Sequence, residues 1–195
     1  MKKLFTASII ILFLATNLSF ALADQGVKKP KRFFTVLSYN VLVPADADFK
    51  DVYDSAGFYP DVKAGLLVSK TFYLWVGYGL FSMAGEIDIY GIKMEAKSKQ
   101  AFVSYGAGYC GALSKKLAYR IEAGAVFFKY EEETMGKKIS ESSYGFKIDC
   151  GIRYHFNRFL FSELFAGYMY GSKKLEERTV KIGGAITGIG VGIRF

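Results

Sequence analysis

The closing stretch, Gly183 to Phe195, narrows the folding options of this chain more than any other segment. Ile189, Val191, Ile193 and Phe195 alternate with Gly188, Gly190, Gly192 and Arg194. A period of two puts the first set on one face of a strand and the second set on the other. A water-soluble sheet hides its apolar face in a core, and its terminal residues fray. Here the face opposite the aliphatics is glycine with one charge, and an aromatic residue closes the run. Aliphatics on one side with small or polar groups on the other are what a closed barrel in lipid requires.

The rest of the chain agrees with that start. Its 195 residues suit one domain, and 51% of them are hydrophobic, with 14 Tyr, 18 Phe and 21 Gly. Residues 1–23 read as a cleaved secretory signal: Lys2 and Lys3, an apolar run from Leu4 to Leu14, then Ala21-Leu22-Ala23 as the cleavage site. Residues 24–31 form a short polar tail. After the signal no apolar run reaches the roughly 18 residues of a membrane helix. Strands remain as the means of crossing. The net charge of +8 raises the question of nucleic acid. The lysines, however, come in pairs within tails and turns, such as Lys115-Lys116 and Lys173-Lys174. Solvated loop charge or contact with anionic headgroups suits an exported chain better, and no nucleic-acid role is expected.

Eight alternating segments follow: Arg32–Val43, Tyr59–Val68, one from Thr71, Gln100–Cys110, Leu117–Tyr130, Ser142–Tyr154, Phe159–Gly171 and the closing stretch. Each has the roughly 9–11 residues of a tilted membrane strand. Their connections alternate long and short, with long ones near residues 44–58, 83–99, 131–141 and 171–181, of which 83–99 reads either as extended hairpin or as loop. The short turns are expected on the periplasmic side and the long loops outside. An even number of strands returns both chain ends to the periplasmic side.

This pattern, with the terminal Phe195, resembles small eight-stranded bacterial outer-membrane β-barrels, the OmpX type and the OmpA transmembrane domain, over about residues 32–195. The resemblance implies an all-β, eight-stranded antiparallel up-and-down transmembrane barrel in the outer membrane. It implies outer-membrane lipid and lipopolysaccharide around the barrel. It further implies the barrel-assembly machinery as a partner during biogenesis, with Phe195 as part of the assembly signal. No cofactor and no enzymatic activity are expected, and the external partner is left open.

Charges on the face opposite the aliphatics are the candidate functional group. Arg120, Glu122, Lys147, Asp149, Arg153, Glu163 and Arg194, together with Asp61 and Lys63, all take the inward phase. Each basic group among them would cost about 2–4 kcal/mol facing lipid at the midplane. An eight-stranded lumen is just wide enough for side chains, so a plug of ion pairs centred on Glu122, Arg153 and Glu163 is expected; the alternative is a narrow ion or solute path. A soluble lipocalin-like barrel would need the reverse, an apolar interior and a polar exterior. The glycine repeats at 77–79, 106–108 and 188–192 lack a strand-to-helix context for phosphate binding and read as room for large neighbours. Asp46, Asp48, Asp51 and Asp54 lack a calcium-loop pattern and read as a solvated loop, with no metal expected. His155 falls at a turn with no serine apparent beside it. Cys110 and Cys150 take opposite phases, so no disulfide is expected.

Overall fold

A computed structural model describes residues 32–53, 55–89, 92–134, 137–175 and 178–195. The proposed signal and tail, residues 1–31, lie outside the described residues. Eight strands follow in order: β1 (Phe33–Pro44), β2 (Gly57–Leu67), β3 (Phe72–Ile89), β4 (Ile92–Ala112), β5 (Leu117–Thr134), β6 (Lys137–His155), β7 (Leu160–Leu175) and β8 (Arg178–Arg194). One short helix, α1 (Ala47–Val52), interrupts the connection from β1 to β2. Each strand pairs antiparallel with the next, and β1 pairs with β8 to close the barrel. Closure leaves no open edge. This is an eight-stranded, antiparallel, up-and-down barrel of the transmembrane type.

The alternation read from sequence is the alternation of burial. On β1, Phe34, Val36, Ser38, Asn40 and Leu42 are buried while Leu37 and Tyr39 are 65% and 56% exposed. On β8 the buried glycines 188, 190 and 192 alternate with exposed Ile189, Val191 and Ile193. Aliphatics therefore cover the outside, and charges lie within. A lipocalin-like barrel has the opposite arrangement.

Two of the predicted outer loops are largely strand instead, and a third takes the extended form that the sequence reading allowed. Within 83–99 the ladder runs out to Ile89 opposite Ile92, which is the extended alternative of the sequence reading. Segments 131–141 and 171–181 are likewise mostly ladder, with Glu131 opposite Ser140 and Ser172 opposite Lys181. Strands β3 to β8 thus run to 16–21 residues. A strand of about 18 residues, at ~3.3 Å each and tilted ~40°, spans roughly 45 Å along the barrel axis. That exceeds the ~30 Å of hydrocarbon, so one end projects. We call it the loop end; the terminal end holds the start of β1 and the finish of β8.

Inward glycines make room for rings. A Cβ on Gly79 would lie 2.3 Å from the Phe102 ring, and one on Gly108 would lie 2.2 Å from that of Tyr73. At Gly192 the intruding ring is Phe161, again at 2.2 Å. Beside these rings the lumen has no space for a methyl group.

Candidate functional site

The lumen has three layers, each set by where the inward phase of the strands places its residues. At the terminal end Phe34, Val36, Tyr73, Trp75 and Phe161 form a small apolar floor. At the loop end a larger cluster gathers Leu42, Tyr59, Phe81, Phe102, Phe128, Met169 and Ile186 among others. Between the two lies a charged layer of four acids, Asp61, Glu122, Asp149 and Glu163, and four bases, Lys63, Arg120, Lys147 and Arg153, all buried.

Half of its contacts lie within one strand or between neighbouring strands. Residues two apart on a strand share a face, so Arg120 and Glu122 both point inward from β5. Glu122 stands opposite Asp149 on β6, and Arg153 stands opposite Glu163 on β7. Arg120 Nη1 lies 2.8 Å from Glu122 Oε2 and also binds Asp149 Oδ1. Arg153 Nη2 donates to Glu163 Oε2 at 2.9 Å. Lys147 Nζ is 3.8 Å from Asp149 Oδ2.

The remaining contacts cross the barrel. Lys63 on β2 reaches Glu122 on β5 at 2.9 Å and Glu163 on β7 at 3.2 Å. Arg120 Nε approaches Glu163 Oε2 at 3.3 Å. From the floor, the Tyr73 hydroxyl donates to Glu122 Oε1 at 2.7 Å. Glu122 and Glu163 are therefore the two hubs, each held by Lys63 and Arg120. Arg153 joins through Glu163 alone among the described ion pairs. Arg194 is half-buried at the finish of β8, towards the rim of the terminal end.

Aromatic rings line the charged layer. The Arg153 guanidinium carbon lies 4.2 Å from the centroid of Phe161 and 5.0 Å from that of Phe34; Arg120 lies 4.8 Å from Phe165. Ring faces attract cations that water no longer solvates. The neutral sum of four acids and four bases, with rings above and below, makes burial of so much charge tolerable.

Tyr73 is the principal member absent from the inward set read from sequence. Lys63 belongs to that set, but its partners, unassigned from sequence, lie on strands far from it in the chain. The second omission is the cap. Phe49, Val52 and Tyr53 follow helical spacing, and the structure packs all three against the loop-end cluster. Phe49 and Tyr53 rings lie 4.4 Å apart. The Tyr53 hydroxyl donates to Glu132 Oε1 at 3.0 Å, and the Lys181 amide donates to Asp46 Oδ2 at 2.9 Å. Burial, reinforced by the Glu132 charge, raises the Tyr53 phenol far above its ordinary value, which keeps the hydroxyl a donor. The approach is close: a Cβ on Gly85 would lie 2.1 Å from the Val52 carbonyl oxygen. The predicted solvated acidic loop is thus corrected to a short helix tucked into the mouth, because its apolar residues share one face.

His155 ends β6 and packs near Phe161, with ring centroids 5.7 Å apart. Cys110 and Cys150 are both free thiols, the second exposed.

A closed barrel with an aliphatic exterior and a charged interior has the architecture of small eight-stranded outer-membrane barrels. No family model matches the sequence, and neither does any curated protein. Solved structures do match in fold. The Neisserial surface protein A has 14% identity and a TM-score of 0.63 over 84% of this chain and 97% of its own. The outer membrane protein OprG from Pseudomonas aeruginosa has 13% identity and a TM-score of 0.64 over 85% of this chain and 96% of its own. Ail, the attachment invasion locus protein of Yersinia pestis, has 14% identity and a TM-score of 0.55 over 86% and 100%. The likeness is one of fold.

Proposed function

We propose that this chain is a non-enzymatic outer-membrane barrel that anchors and presents its projecting loop end outside the cell, with its lumen closed. The observation that carries the reading is the inversion of the barrel, aliphatic outside and charged inside. Only lipid makes that exterior favourable, because every strand offers it apolar side chains while all backbone groups pair within the ladder. The terminal end then faces the periplasm. The projecting strands and α1 face outward, the position from which a surface protein meets its partners.

Three layers close the lumen in this reading: the floor, the charged layer and the loop-end cluster under α1. An interior filled to this degree offers no continuous water path for ions. In planar bilayers the refolded protein is therefore expected to show no steady conductance; stable unitary currents would favour the narrow channel and overturn the closed barrel.

A further inference from the structure

The three turns at the terminal end, 68–71, 113–116 and 156–159, are built alike. In each, the first two amides donate to one carbonyl across the turn: Val68 and Ser69 to Phe72 O, Leu113 and Ser114 to Leu117 O, Phe156 and Asn157 to Leu160 O. In each, the second residue's side-chain oxygen accepts two further amides: Ser69 from Thr71 and Phe72, Ser114 from Lys116 and Leu117, Asn157 from Phe159 and Leu160. Turn chemistry accounts for the Ser and Asn. It does not account for the residues on either side of them.

The residue before is apolar and held out from the barrel: Val68 is 67% exposed, Leu113 56% and Phe156 52%. The residue after is a cation, Lys70, Lys115 or Arg158, and Lys116 adds a fourth; all four are exposed. No acid occurs in any of the three turns. Among the described residues, the acids outside the lumen lie in 46–51, 86–95 and 131–141, all at the loop end. The terminal end is thus a ring in which apolar tips alternate with positive charge, with no acidic side chain outside the lumen among the described residues there.

In water such apolar tips are a liability. At a lipid boundary they are favourable: the apolar side chain enters the acyl region while the neighbouring cation reaches the phosphate plane. The geometry points to a collar that binds the headgroups of anionic phospholipids in the leaflet at the terminal end. This inference rests on the proposed membrane reading, and the experiment separates the two.

The protein is refolded into vesicles containing spin-labelled phosphatidylglycerol or phosphatidylcholine, and the immobilised fraction of each lipid is compared. The native chain is expected to favour phosphatidylglycerol by about threefold or more, because surface cations near anionic headgroups add their attractions. The preference should shrink in about 0.5 M salt, where the Debye length falls to a few ångströms. The variant K70Q/K115Q/K116Q/R158Q should lose it, whereas K97Q/K99Q/K129Q, altered at the loop end, should keep it. Heat-modifiable migration identifies the folded variants, and the salt series on the native chain stands should the fourfold variant fail to fold. A native barrel that inserts without preference overturns the collar alone, as does a preference that survives high salt or follows the loop-end lysines. Failure of the native chain to insert into either vesicle overturns the membrane reading itself.

Discussion

Glu122→Ala is expected to lower the stability of the barrel by about 3–5 kcal/mol in detergent, the cost of leaving buried charge without its partner. Glu122 is the hub where Lys63 at 2.9 Å, Arg120 at 2.8 Å and the Tyr73 hydroxyl at 2.7 Å converge. Its removal leaves Lys63 and Arg120 without the carboxylate they share, deep between apolar layers. Urea titration followed by heat-modifiable migration measures the loss. The same principle sets a second expectation for the set: Glu122→Ala combined with Lys63→Met should recover a good part of it, because the double change removes one acid and one base together. Losses that simply add would show that the two side chains do not interact. A cost below about 1 kcal/mol for Glu122→Ala would show that the charged layer is wet enough to solvate its ions.

Leu164→Arg is the second large effect, expected at about 2–4 kcal/mol in lipid vesicles. Leu164 is 58% exposed and pairs with Ile152 and Ile189, which are also exposed, so an outward aliphatic patch surrounds it. An exposed leucine on a water-soluble barrel would tolerate arginine within about half a kcal/mol. The contrasting site is Ser140, which is exposed on β6 opposite Glu131 beyond the aliphatic band. Ser140→Arg should change stability by less than about 1 kcal/mol. Equal effects at the two positions would deny that the barrel has a lipid-facing band.

Strand number, phase and closing direction were legible because lipid demands strict alternation. Wherever one face met lipid and the other the lumen, as in Leu37 against Ser38 or Ile121 against Glu122, the sequence alternates and the structure follows it. The rule failed where the outward face meets water, so that charges stand there in place of aliphatics while Ala96, Ser98 and Tyr130 stay buried on the inner face. Beyond the band, Lys97 stands opposite Glu133 and Lys99 opposite Glu131, and Lys173 pairs with Glu141 at 3.3 Å. Cross-strand pairs of opposite charge hold such ladders together. Read along one chain, they are only charge-rich stretches, which is why segments 131–141 and 171–181 resembled loops.

The charged layer was legible in part for a related reason. Contacts between adjacent strands follow from turn positions and register, which bring Arg153 opposite Glu163. Contacts across the lumen depend on the barrel's radius and on side-chain length. Lys63 meets Glu163 across a separation of 100 residues, and nothing in the local pattern marks it. The α1 cap sits between these cases. Its apolar spacing was visible at Phe49, Val52 and Tyr53, but the surrounding aspartates concealed it.

Refolding of the full chain from urea, with and without lipid vesicles, tests the inverted barrel most directly. Electrophoresis of unheated samples reports the folded form by its altered migration. With vesicles present the chain should reach a compact, heat-modifiable barrel, and in buffer alone it should aggregate or stay unfolded, because its aliphatic exterior has nothing to cover it. A folded, monodisperse barrel in buffer without lipid or detergent would contradict a membrane-spanning role for this chain.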